Sequence, residues 1–144
     1  MSSATTSSCW CVWAQGFRAA KFGWGPYGRT TVEADREQIA AAREGLGEDG
    51  ILLVDAGTVW GDDLAAGKRR LEALIEHKAT WLEEPFIGGA TDAYAALAAL
   101  SGPVKLAGGE GAHNFHMARN LIDHGRIGFV QIDSGRIGGI SPSR

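Results

Sequence analysis

Acidic residues recur along this chain at the ends of apolar runs: Asp55 in LLVDAG, the pair Glu83 and Glu84 in WLEEP, Glu110 in LAGGE and Asp133 in VQIDSGR. Lys21, in GFRAAKFGWG, precedes them. The intervals between Asp55, Glu83, Glu110 and Asp133 are 28, 27 and 23 residues, close to the length of one strand and helix with their turns. Any one of these acids alone reads as a solvated strand end or a helix cap. Recurrence at that period places the groups side by side. Neighbouring carboxylates repel unless a cation sits among them, and hard oxygen donors suit magnesium, with water and substrate oxygens completing its shell. Glu83 and Glu84 are adjacent, so on an extended strand their side chains point to opposite faces and one alone enters the site. Glu83 is assigned to the metal, and Glu84 to a neighbouring salt bridge or an outer contact.

The elements that must position these groups are short apolar runs alternating with stretches of helical period. Strands are expected over Phe17–Phe22, Ile51–Asp55, Ala79–Glu83, Val104–Ala107 and Phe129–Ile132. Between them fall helices over Thr31–Gly45, Asp62–His77, Thr91–Leu100 and Asn114–His124. Glu33, Asp35 and Glu37 suit the first helix's N-terminal dipole, Thr91 or Asp92 is the expected cap of the third, and Gly125 ends the fourth. Five strands with four intervening helices predict a parallel sheet, because parallel neighbours need a crossover. Such a sheet is either open and doubly wound or closed into a barrel. In a barrel, acids at the ends of successive strands point into one mouth; an open sheet gathers its ligand at a single switch point.

Composition narrows the classes. The 144 residues, 44% of them apolar, suffice for one core and are too few for two ordinary domains. A net charge of -3 offers no basic face for a phosphate backbone, so nucleic acid is not an expected partner. Cys9 and Cys11 are the two cysteines, and their spacing lacks the second ligand pair of a structural zinc site. A reducing, cytoplasmic setting is expected. The apolar patch Cys9–Ala14 is too short for a signal-peptide core or a membrane span, so no membrane partner is expected.

In their order and spacing, GFRAAKFGWG, LLVDAG, WLEEP, LAGGE and VQIDSGRIGG resemble the barrel domain of the mandelate racemase and muconate lactonizing branch of the enolase superfamily. The resemblance covers almost everything after Gly16. It implies an α/β fold, a partial (β/α)8 TIM-type barrel with about five βα units, over residues 16–144. Residues 1–15 form an atypical segment ahead of it. The resemblance implies magnesium held by Asp55, Glu83 and Glu110, and removal of a proton from the carbon next to a substrate carboxylate. The charge developing there is stabilised by the metal in a dry mouth. Lys21 matches the first lysine of the family's K-x-K motif, where an ammonium helps to neutralise the substrate carboxylate. Gly23 stands where the second lysine would be. Asp133 matches the acid of an Asp-His pair, whose histidine would follow the next strand.

Lys21 and Asp133 are therefore the expected catalytic residues. His77, His113, His116 and His124 fall on expected helices or their flanks, where solvated or capping roles are the default. His113 and His116 follow Glu110 closely enough to reach the mouth as substrate contacts, and Arg136 falls in the same region. Loss of the second lysine with Asp133 retained points to a one-base reaction, because racemisation needs groups on both faces. The expected activity is dehydration of an acid sugar, the small carboxylate partner. The alternatives are racemisation or lactone formation on a related carboxylate, and a catalytically silent metal-binding fragment, since the capping domain, first strand and last two strands of the family barrel are not in the sequence. Homo-oligomerisation of a full-length form stays open.

Overall fold

The computed structural model describes residues 14–144. The expected atypical segment, with Cys9, Cys11, Trp10 and Trp13, lies outside the described residues except for Ala14 and Gln15. Five strands, β1 (Ala19–Phe22), β2 (Ile51–Asp55), β3 (Ala79–Glu83), β4 (Lys105–Gly108) and β5 (Phe129–Val130), pair in sequence order, all parallel. Four helices cross between them: α1 (Val32–Leu46), α2 (Leu64–Glu76), α3 (Thr91–Ala98) and α4 (Phe115–Asp123). Each helix packs on the next, so they form one layer against one side of the sheet. The strand order never reverses, which is the arrangement of a barrel wall and not of a doubly wound sheet with a switch point.

Alternation along the strands separates the two faces. Leu52, Val54, Leu82 and Leu106 face the helices and are almost fully buried, joined by Ile39, Leu46, Leu74 and Leu97 from the helix layer. A chain of edge-to-face and tilted rings, Phe22, Tyr27, Trp60, Phe86 and Tyr94, continues that core toward the loops after the strands. The opposite face carries Lys21, Leu53, Asp55, Trp81, Glu83 and Lys105. The register sets Lys21 beside Leu53, Leu53 beside Trp81, Trp81 beside Lys105, and Asp55 beside Glu83. The charged side chains are thus on the barrel's inner face because each lies an odd step from the apolar residues that the helices require.

The two ends of the wall differ in kind. At the end where strands begin, the buried Arg43 of α1 donates to four carbonyls, those of Gly47, Gly50, His77 and Lys78, tying α1 to the starts of β2 and β3. At the other end Asp35, fully buried, accepts from Arg70 of α2 at 2.7 Å and from the Gly28 backbone at 2.9 Å. Its place in the first turn of α1 suits the helix dipole, but burial opposite Arg70 is its main contact.

Several expectations are corrected. The third helix is preceded by Ala90, which makes no side-chain cap bond, so neither Thr91 nor Asp92 caps it; both lie inside α3. By contrast Thr31, Asp63 and Asn114 each accept a backbone N–H at their helix N-termini. The first strand begins at Ala19 instead of Phe17. The last ends at Val130 instead of Ile132 and is half-exposed, as befits an edge strand paired on one side. No helix among the described residues is long and apolar enough to cross a membrane.

Candidate active site

Lys21 is the hub of the inner face. Its ammonium lies 2.8 and 2.9 Å from the two Glu83 oxygens and 3.1 Å from Asp55 Oδ2. Glu83 is buried and Asp55 nearly so, while the Lys21 side chain is 40% exposed. Burial by itself would lower the lysine pKa; hydrogen bonds and charge from Glu83 and Asp55 outweigh it and hold the ammonium above its usual value. Asp55 also accepts from the Gly57 backbone at 3.0 Å, which fixes its rotamer at the end of β2.

Beside this trio opens a cavity of about 330 Å³, with Trp24, Thr58, Glu84, Glu110, Met117 and Arg136 on its wall. Lys21, Asp55 and Glu83 do not line it, so the ion cluster borders the cavity instead of filling it. Glu84 is the residue that the alternation argument misplaced. Its φ of 41° takes it out of the extended conformation that would have turned it away from Glu83. Its carboxyl is half-buried, in the field of Glu110, Asp55 and Glu83. Burial first, then Glu110, pushes its pKa up, against a hydrogen bond from the Gly109 backbone. Glu84 makes no ion pair among the described residues, so the expected salt bridge is not there. A non-glycine residue held at positive φ beside a cavity is strain of the kind that gathers at functional sites. The adjacent acidic pair was the sequence signal; the backbone reversal before Pro85 was not legible.

The remaining expected residues are spread more widely. Glu110 stands in the loop beyond β4, exposed at the cavity wall and without an ion pair among the described residues. Asp133 lies three residues past β5, exposed, its Oδ1 accepting from the backbones of Gly135 and Arg136 at 2.8 and 3.2 Å, its Oδ2 3.5 Å from the Arg136 guanidinium. It caps a turn whose buried Ile137 packs against Ala112 and Ala118, and that turn delivers Arg136 to the cavity. His113 and His116 are exposed and line no part of it; the His116 ring lies against Phe115 instead. Position 23 admits no lysine. Gly23 has a φ of +115°, and a Cβ there would come within 2.5 Å of the Asp55 carbonyl oxygen.

The donor set fits a hard cation in type and charge. Asp55, Glu83, Glu84 and Glu110 offer oxygen donors alone, against Lys21 and Arg136. They are not gathered into one shell: among the described residues no three Asp, Glu, His or Cys side chains stand ready to hold a metal ion. The Lys21 ammonium occupies the space between the two most buried donors.

Known proteins give the arrangement a place. The chain is 35% identical to the L-talarate/galactarate dehydratase of Salmonella typhimurium over 80% of its residues. It is 34% identical to the 3,6-anhydro-alpha-L-galactonate cycloisomerase of Streptomyces coelicolor over 91%. Among solved structures, a protein described as a predicted mandelate racemase from Rhodobacter sphaeroides superposes on 99% of the chain with a TM-score of 0.94 and 55% identity. A racemase from Streptomyces coelicolor with bound magnesium matches all of it at 0.89 and 29%. The chain spans 28% to 41% of the length of these proteins. Its relatives thus include acid-sugar dehydratases, cycloisomerases and racemases. The family model described as Enolase C-terminal domain-like matches residues 8–144, and with its wall of parallel βα units in sequence order the chain belongs to that family, within the enolase superfamily.

Proposed function

We propose that this chain carries the metal- and acid-binding part of an enzyme that uses magnesium to remove a proton α to a carboxylate, and that the reaction is dehydration of an acid sugar. The observation that carries this reading is the Lys21 ammonium held between Asp55 and Glu83 at the end of the wall, next to a cavity bordered by Glu84, Glu110 and Arg136. Asp55, Glu83 and Glu110 are the proposed ligands. When bound, magnesium supplies positive charge against the negative charge that builds on the substrate carboxylate as its α proton leaves.

The chain's own side chains set the rest. Lys21 is a cation at the edge of the cavity, held by Asp55 and Glu83 in the metal-free chain and placed to neutralise one end of an anionic substrate when magnesium takes those carboxylates. Its hydrogen bonds to Glu83 and Asp55 outweigh its burial and raise its pKa above the ordinary lysine value. Arg136 is a second cation on the wall, held by the Asp133 turn. Gly23 leaves no room for a base beside Lys21, so position 23 supplies no side chain for proton removal on that side. That favours a reaction needing one base over racemisation, which needs two. Asp133 is proposed to orient that base, a histidine. The backbone bonds to its Oδ1 fix the carboxylate, and its Oδ2 is directed toward Arg136. The location we infer is cytoplasmic, on the strength of the two cysteines and their spacing.

The test is product analysis with magnesium and a panel of galactarate, L-talarate and L-rhamnonate. A product lighter by one water supports dehydration. A product of unchanged mass shifts the assignment to isomerisation, the reading that the cycloisomerase relative favours. Magnesium binding without turnover leaves a silent site, and absence of both binding and turnover overturns the proposal.

A further inference from the structure

The loop after β1 carries a feature that proton abstraction does not use. Trp24 is 77% exposed, and it lines the cavity together with Glu84, Glu110 and Arg136. Its ring lies over Gly57, where an added Cβ would come within 2.9 Å of Trp24 Cδ1 and 3.2 Å of Nε1. The indole therefore rests on the backbone of the loop that leaves Asp55, at the one position there bare enough to admit it. Gly57 in turn donates to Asp55 Oδ1, so the indole is seated against the same short segment that fixes a proposed metal ligand.

The loop behind Trp24 is anchored at several points. Tyr27 N–H donates to the Gly23 carbonyl at 3.0 Å, Gly28 N–H to Asp35 Oδ1 at 2.9 Å, and Trp60 Nε1 to the Gly28 carbonyl at 3.2 Å. Asp35 is fully buried and paired with Arg70, whose guanidinium lies 4.9 Å from the centre of the Trp60 ring. A buried ion pair is a poor source of net stability compared with apolar packing of the same volume. What this pair does hold is the carbonyl and N–H of Gly28, and with them the course of the loop. An exposed aromatic on a well-anchored loop is a preset surface, with little ordering left to be done on binding.

We propose that Trp24 determines substrate specificity at this mouth: its indole is the apolar wall against which the carbon chain of the bound acid lies, while the charged groups that line the same cavity take its carboxylate and hydroxyls. This rests on the acid-sugar reading above. A polyhydroxy acid presents C–H groups along its chain as well as hydroxyls, and ligand sites combine an aromatic face with a few placed polar groups to fix such a molecule. A short dicarboxylate such as succinate lays less carbon chain on that wall and has no hydroxyls for the placed polar groups to hold against it.

The experiment is a calorimetric titration of the magnesium-loaded chain with galactarate and with succinate, for wild type, Trp24→Phe and Trp24→Ala, with tryptophan emission followed in parallel. The exposure of Trp24 means that neither variant disturbs the core, and unchanged melting checks this. The expected result is galactarate affinity lowered about tenfold in Trp24→Ala, a smaller loss in Trp24→Phe, and an emission change on binding that both variants lack. The weak response to succinate stays as in wild type. Equal galactarate affinity in wild type and Trp24→Ala overturns the role of Trp24 and leaves the acid-sugar reading standing. Failure of wild type to bind galactarate or any other acid sugar removes both.

Discussion

Replacing Lys21 with methionine removes the ammonium and keeps most of the stem, leaving Asp55 and Glu83 facing each other with no cation between them. Glu83 is 1% and Asp55 10% exposed, while Lys21 is 40% exposed. The loss lies between the ~0–1 kcal/mol of an exposed pair and the ~3–5 kcal/mol of breaking a buried one, and the mixed burial puts it at about 2 kcal/mol. Because the lysine pKa is raised above 10.5, this contribution is complete at neutral pH and is lost only as the pH rises through that raised value. The same substitution acts in the opposite sense on metal binding. It removes the competitor and leaves two buried carboxylates whose repulsion a divalent ion relieves, so about 2 kcal/mol reappears as roughly 30-fold tighter magnesium binding. The assay is calorimetric titration of magnesium into the chelator-treated chain, paired with urea denaturation in chelator. Lys21→Met with magnesium affinity equal to or weaker than wild type would refute the reasoning, because Lys21 would then assist the metal instead of standing in its place.

Gly23→Ala places a Cβ at a backbone φ of +115° and within 2.5 Å of the Asp55 carbonyl; the expected cost is about 2 kcal/mol or more by urea denaturation, and a variant as stable as wild type contradicts the account of the missing second lysine. Asp35→Ala strands the buried Arg70 and should cost ~3–5 kcal/mol, while Asp35→Ala combined with Arg70→Met should cost less than the sum of the two single changes; additive losses would show that the pair is not coupled. Glu84 has its pKa raised from 4.5 by burial and by Glu110, so the stability it contributes is complete below that value and is lost as the pH rises through the folded pKa. Glu84→Gln should therefore raise the stability of the metal-free chain at neutral pH and flatten its fall above pH 4.5, and a destabilised variant at neutral pH would contradict this.

Much of this architecture was legible because it depends on short-range pattern. The interval from Asp55 to Glu83 is one βα unit, and parallel register puts them directly side by side. The helices were legible to within a few residues, but their caps were not: Thr31, Asp63 and Asn114 cap three of them from positions expected inside the helices, and the expected cap Thr91 or Asp92 lies inside its own. What was lost depended on backbone reversals and long-range pairing. Glu84 turns toward the cavity through a positive φ that strand alternation cannot foresee. Asp35 looks like a residue chosen for its helix dipole, and its partner Arg70 is 35 positions away. Asp133 stands three residues beyond a strand that ends at Val130 instead of Ile132. Its bonds to Gly135 and Arg136 follow the common habit of Asp accepting from the backbone two residues on, and the D-S-G-R order was a signal for it.

The central claim is that Asp55, Glu83 and Glu110 hold one divalent ion. Its most direct test is magnesium titration of the chelator-treated wild-type chain and of Asp55→Asn, Glu83→Gln and Glu110→Gln, each first shown to be folded. The account predicts a single site in wild type and at least tenfold weaker binding in each variant. Equal affinity in all four proteins would contradict it.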